Sequence, residues 1–271
     1  MSDTSMNYSV RPLHEGTFSV GLDKKFNRIA KEEPAAKGAL KIALNPFLIR
    51  TPDGNMLIDC GLGNFGQENH HKILCENLEK AGLSERDITD VFCSHLHYDH
   101  MGGLAHNSSG YWELSFPDAT IHASGKEWAK LQSISDAEGP RTEFLDFIES
   151  RAELHLLDDD ARPNKYVHMS TIGGHTEFSQ LIELRLGDQL FLMAGDVMGT
   201  RGAINRKYAA KYDFDGKQSM KMREQLTKRA YEEKAIILAY HDTINPMFRL
   251  KDFDAKKGYI IENAEEIYEG Y

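Results

Sequence analysis

The chain has 271 residues, with 32 Lys and Arg against 42 Asp and Glu, a formal charge of −10. That acidic balance disfavours a protein that tracks a phosphate backbone. A hydrophobic share of 41% and an aromatic share of 10% argue against disordered, collagen-like or disulfide-scaffold classes. Cys60, Cys75 and Cys93 are odd in number and form no CxxC pair, so they read as free thiols in a reducing compartment. The opening MSDTSMNYSV has neither a basic start nor an apolar core. No apolar run approaches the ~18–20 residues that cross a bilayer. A cytoplasmic protein with no membrane association is expected, and residues 1–271 read as a single domain.

Residues 22–39 are charged, hold Pro34 and lack a clean period, so they read as a long surface loop or lid. Residues 40–50 and 55–60 are β-rich and flank Thr51-Pro52-Asp53-Gly54, which predicts a hairpin. Apolar Ile73, Leu74, Leu78 and Ala81 predict a helix over 68–81, with Gly82 placed to end it. A buried strand follows at Asp90–Ser94, then a strand at Thr120–Ala123 and helices at 125–133 and 142–150. Strands are predicted at 165–172, 180–186 and 189–194, the last two joined by the two-residue turn Gly187-Asp188. A helix over 216–234 and a buried strand at Ala235–Tyr240 complete the pattern. Such an order suggests sheets covered by helices on their outer faces.

Ser94-His95-Leu96-His97-Tyr98-Asp99-His100 carries three histidines and a carboxylate in six positions. On an extended strand end His95 and His97 point the same way, and Gly102-Gly103 would let the chain turn beneath them. Such an N/O donor set on one rigid segment suits two cations ~3.5–4 Å apart. The motif alone supplies too few ligands. Three downstream residues sit at loop positions beside predicted strands: His175 in Gly173-Gly174-His175-Thr176, Asp196 after Leu190–Ala194, and His241 after Ala235–Tyr240. His70, His71, His106, His122, His155 and His168 lack such spacing partners and read as packing or surface residues, with His106 nearest the motif.

The ordered set HxHxDH, GGHT, GD and a strand-end His resembles the metallo-β-lactamase superfamily from about Phe18 to His241. The resemblance implies an α+β fold, a four-layer αββα sandwich of two mixed sheets with helices on the outer faces. It implies that His95, His97 and His175 hold one metal and Asp99, His100 and His241 a second. Asp196 would bridge them together with a hydroxide, and Asp59 in Leu57-Ile58-Asp59-Cys60-Gly61 would orient a ligand histidine. Zinc is the first expectation, and manganese or iron also suit the donor set. The stretch Tyr212-Asp213-Phe214-Asp215 followed by Arg223, with Gly16-Thr17-Phe18 and Asn45-Pro46-Phe47-Leu48, resembles the lactonase and organophosphate-hydrolase-like subgroup.

Departures narrow the activity. Class B β-lactamases lack the bridging Asp, and only 30 residues follow His241 where glyoxalase II relatives add a helical domain. No RNA-binding arm or flavodoxin domain is visible. Gly199 stands where homoserine-lactone lactonases carry a Tyr. The resemblance therefore implies a dinuclear hydrolase of a small ester, lactone or phosphotriester, with Asp99 as the residue that carries a proton. A phosphodiesterase or nuclease, and a di-iron or sulfur-handling redox relative, are the alternatives. Arg201, Tyr208 and Tyr212, in the segment after Asp196, are candidate substrate contacts. A small molecule is the expected partner, no nucleic acid is expected, and a homodimer is left open.

Overall fold

A computed structural model describes residues 8–108, 110–134, 140–264 and 267–268. Two seven-stranded sheets lie at its centre. The first runs in spatial order Glu153–Leu157, Thr120–Ser124, Ile88–Phe92, Gly54–Ile58, Phe47–Thr51, Ser9–Pro12 and Ile267–Tyr268. The second runs Asp160–Ala161, Val167–Thr171, Gln180–Leu186, Gln189–Met193, Ile236–Leu238, Met247–Asp254 and Gly258–Asn263. Both are mixed, since parallel pairs such as Gly54–Ile58 with Ile88–Phe92 adjoin antiparallel ones.

The period of two along each strand sorts side chains between two interfaces. Phe47, Ile49, Phe191 and Met193 point into the core between the sheets, together with Phe92, Ile182 and Ile236. Their neighbours Leu48, Leu190 and Leu192 point outward and are equally buried. Helices make that burial. Leu74 and Leu78 of α1 (His70–Lys80), Trp128 of α3 (Gly125–Ile134) and Phe144 and Ile148 of α4 (Pro140–Arg151) cover the first sheet. The short helix α2 (Tyr98–Met101) carries Asp99 and His100, the second half of the histidine motif. Leu226 and Ala230 of α5 (Gly216–Glu232) cover the second sheet. The result is the expected αββα sandwich, and two-sided burial explains why its central strands read as unbroken apolar runs.

Local signals place several boundaries. The Asn69 side chain accepts from Lys72 N–H and caps α1, and Gly82 follows its end with φ +73°. Asp215 caps α5 by accepting from the backbone of Lys217 and Gln218. Leu186 pairs with Gln189 across the expected Gly187-Asp188 turn.

Two expectations need correction. Residues 40–50 are not one strand. The chain breaks at Asn45-Pro46, and Leu40–Leu44 pairs with Gly16–Val20 in a separate three-stranded sheet. The third member of that sheet is Phe26–Ile29, so residues 22–39 are not wholly a loop. Its side chains are half-exposed or exposed, which is why no apolar alternation announces it.

Candidate dinuclear metal centre

The seven residues singled out in sequence converge where the ends of central strands from the two sheets meet. His95 and His97 lie in an irregular stretch after the strand Ile88–Phe92, and Asp99 and His100 lie on α2. Strand alternation therefore does not set the directions of His95 and His97, contrary to the period-two expectation. Asp196 opens the turn after Gln189–Met193, and His241 follows Ile236–Leu238. The motif glycines also act differently from the expectation. Gly102 has an ordinary helical φ of −61°. A Cβ on Gly103 would lie 2.0 Å from the Cys60 carbonyl oxygen, so close approach, not turning, requires a glycine. Gly174, by contrast, has φ +101° beside Ser219 and gives the chain the unusual backbone that presents His175.

Hydrogen bonds orient the rings. His100 Nδ1 donates to Asp59 Oδ2 at 2.7 Å, His175 Nδ1 to Asp213 Oδ1 at 3.0 Å, and His241 Nδ1 to the Ala43 carbonyl at 2.8 Å. Each bond commits Nδ1 and leaves the Nε2 lone pair facing the centre. His175 Nε2 lies 3.1 Å from His97 Nδ1, which is also 3.1 Å from His95 Nε2. His100 Nε2 and His241 Nε2 are 3.3 Å apart. Nitrogens ~2.0–2.1 Å from a tetrahedral zinc would stand ~3.3 Å from one another.

Asp196 spans the two groups. Its Oδ2 lies 3.2 Å from His175 Nε2, and its Oδ1 lies 2.9 Å from His241 Nε2 and 3.2 Å from His100 Nε2. Despite those neighbours, Oδ1 is buried and accepts no hydrogen bond of sound geometry. A buried, unpartnered carboxylate oxygen this close to two ring nitrogens fits a cation between them. Asp99 Oδ2 is 3.5 Å from His241 Nε2 and 3.7 Å from His100 Nε2. The sets His95/His97/His175 and Asp99/His100/His241 each bring three ligand atoms within 4.8 Å of one another.

The electrostatics point the same way. Burial and the neighbouring rings of His100 and His97 hold His95 well below the usual histidine range, so it keeps a free lone pair. Burial opposes charge on His100, yet the carboxylates of Asp99, Asp59 and Asp196 outweigh it and push that ring well above its usual range. Burial likewise opposes charge on His241 and His175, and Asp196 reverses it in both. A carboxylate field strong enough to draw protons onto buried rings is strong enough to hold cations there.

Asp59 is fully buried, with φ +55° in the left-handed region. Its carboxylate accepts from Ser94 N–H and Ser94 O–H, both at 2.7 Å, as well as from His100. Asp59→Asn would present an amide to His100 Nδ1 and unlock the ring. We expect metal affinity at the Asp99/His100/His241 set to fall about 10–100-fold, read by equilibrium competition with a chelator.

A cleft of 270 Å³ opens beside His97 and His175, lined also by Glu127, Leu131, Phe178, Tyr212 and Phe214. Of the three candidate substrate contacts, Tyr212 lines this cleft and Arg201 and Tyr208 do not. Arg201 is committed elsewhere. Its Nε donates to Asp242 at 3.1 Å, and its Nη2 donates to the Asn245 carbonyl at 2.7 Å and to Asn263 Oδ1 at 2.9 Å. These bonds pin the loop after His241. The ring of Tyr208 lies under the Arg223 guanidinium at 4.6 Å.

Three residues of the site escaped the sequence reading of roles. Asp213 and Asn45 are legible only within the resembling stretches Tyr212-Asp213-Phe214-Asp215 and Asn45-Pro46-Phe47-Leu48. Asn45 clamps the loop at His241, its Nδ2 donating to the carbonyls of Tyr240 at 2.7 Å and Asp242 at 3.1 Å. Glu127 sits in the cleft wall, and burial raises its carboxyl to about 6. The strong turn signal at Asn45-Pro46 could have flagged Asn45.

Comparison with known proteins bears on the family and the fold. The family model described as the metallo-beta-lactamase superfamily matches residues 43–241. A probable metal-dependent hydrolase from Staphylococcus aureus is similar at TM-score 0.76 and 20% identity, covering 96% of this chain and 99% of that one. AidC, a dizinc quorum-quenching lactonase solved with a product, is similar at TM-score 0.75 and 21% identity, covering 98% and 96%. The hydrolase AbOPH of the beta lactamase superfamily is similar at TM-score 0.70 and 20% identity, covering 97% and 99%.

Proposed function

Since the chain belongs to the metallo-beta-lactamase superfamily and is a metal-dependent hydrolase, we propose that it cleaves a small ester or lactone bearing an apolar acyl or alkyl group. His95, His97 and His175 would hold one cation, and Asp99, His100 and His241 a second, with Asp196 shared between them. When bound, two such cations supply Lewis acidity toward the carbonyl and a water acidic enough to attack near neutral pH. The observation that carries this reading is the Asp196 carboxylate, with one oxygen toward each histidine group.

The rest of the work falls to the chain's own residues. The cleft walls of Leu131, Phe178, Tyr212 and Phe214 take up the apolar substituent and exclude water from it. Asp99 is placed to carry a proton. Its carboxylate is largely buried, it belongs to the second group, and the Tyr240 hydroxyl donates to its backbone carbonyl at 2.6 Å. A carboxylate so fixed can take the proton of the attacking water and pass it to the leaving alkoxide. Asp59, Asp213 and the Ala43 carbonyl hold three ring orientations while this happens. The solved relatives AidC and N-acyl homoserine lactone hydrolase, both with homoserine-type products, support the lactone arm of the reading.

A panel of p-nitrophenyl esters of increasing chain length, lactones and phosphotriesters tests it, each run with the zinc-loaded and the chelator-stripped protein. Metal-dependent turnover that improves with chain length on esters or lactones is the expected result. Turnover confined to phosphotriesters, or none with two metals bound, would overturn it.

A further inference from the structure

Outside the dinuclear centre, the described residues bring together a different donor set: His71, Cys75 and Glu85, each offering one ligand atom, all within 4.8 Å of one another. His71 and Cys75 are four residues apart on α1 and so share one face of the helix. Glu85 opens the short helical turn Glu85–Asp87, which begins in a capping box with Ser84. The spacing partner of His71 is thus a cysteine and not a second histidine.

Cys75 Sγ lies 3.5 Å from His71 Nε2 and 2.9 Å from Glu85 Oε1. A tetrahedral zinc ~2.3 Å from sulfur and ~2.0–2.1 Å from nitrogen would set those two ligands about 3.5 Å apart. The thiol–carboxylate contact is a hydrogen bond donated by the S–H, and it has to open by roughly half an ångström to admit the ion. Around this triad the surroundings are built as well. Ser115 Oγ lies 3.3 Å from His71 Nδ1 and 3.5 Å from His106 Nδ1, and the two imidazoles stack at 3.7 Å with only 5° between their planes. Burial and His106 lower His71 to about 4, so the ring is neutral at physiological pH with a lone pair to give. Burial and the bond to Glu85 push the thiol up to about 12, so a cation must displace a proton to bind it.

We propose that His71, Cys75 and Glu85 form a separate mononuclear site for a thiophilic dication such as zinc, with water as fourth ligand, that staples α1 to the turn at Glu85–Asp87. Binding makes one sulfur, one nitrogen and one oxygen bond to the metal and breaks the S–H bond, whose proton goes to solvent. A thiolate with an imidazole favours zinc over magnesium or calcium. The assignment is independent of the dinuclear centre, which contains no cysteine.

Cobalt titration of the metal-depleted protein tests it, because a thiolate ligand adds a near-ultraviolet charge-transfer band that histidine and carboxylate ligands do not give. Cys60 and Cys93 are buried in the core, so the band reports on half-buried Cys75. We expect one cobalt equivalent to carry the band. Cys75→Ser should lose both the band and that equivalent while the remaining cobalt spectrum is kept, which also shows that the variant is folded. Glu85→Gln, which leaves the thiol in place, should weaken the same equivalent at least about tenfold. Absence of the band in the parent protein, or its survival in Cys75→Ser, would overturn the assignment. If the dinuclear reading alone fails, the thiolate band still appears with a single equivalent.

Discussion

Replacing Asp196 with asparagine is expected to lower kcat/KM by about three orders of magnitude, or ~4 kcal/mol of transition-state stabilisation, and to lower metal content with it. The substitution keeps the shape and removes the charge. That charge faces His175 from one oxygen and His241 and His100 from the other. Burial alone would raise the Asp196 carboxyl, but His241, His175 and His100 hold it well below the usual carboxylate range. It is therefore ionised in the folded protein, and an amide can neither neutralise two cations nor offer an anionic oxygen to each. Its contribution to stability is present above the ordinary carboxylate pKa and is lost as pH falls toward the depressed value. Metal analysis after gel filtration, alongside kcat/KM on the best substrate of the panel, reads the result. Two metals retained with activity within tenfold of the parent would contradict the bridging role.

Asp99→Asn separates proton transfer from metal holding. Asp99 Oδ2 stands 3.5 and 3.7 Å from the Nε2 atoms of His241 and His100, farther than Asp196 Oδ1 from the same rings. It is the more loosely engaged carboxylate of the centre, which suits a group that must exchange a proton. We expect kcat to fall about 10²–10⁴-fold, with the metal at His95, His97 and His175 retained and the fold intact. The loss should be smaller for p-nitrophenyl esters, whose leaving group needs little protonation, than for esters of simple alcohols. Equal losses on both, or near-parental turnover with normal metal content, would remove Asp99 from the proton path.

The parts legible in the sequence are those whose signal is local. Leu190–Met193 reads as a buried strand because each face packs against a different layer, so all four positions are apolar. Four of the seven converging residues lie within six positions, and the other three follow strands or glycines that can be recognised. What could not be read are pairings between distant, ordinary surface residue types. Asp213 is 38 residues from the ring it orients, and Asn45 is 195 residues from the Tyr240 carbonyl it holds. Arg201 reads as a free cation in sequence because its acidic partner, Asp242, is 41 residues away. Phe26–Ile29 stayed hidden because a small, exposed sheet imposes no apolar alternation on it. Cys75 reads in sequence as one more free thiol, and only the fold sets it beside His71 on α1 and brings Glu85 to it from the next turn.

The most direct test of the dinuclear account is the initial rate of ester or lactone hydrolysis as zinc is added to the metal-depleted protein. Carried out in the Cys75→Ser background, it leaves only the central ligands to fill. Activity should rise from a negligible baseline and stop rising once two equivalents are bound. Full activity before any zinc is added, or no turnover with both equivalents in place, would contradict it.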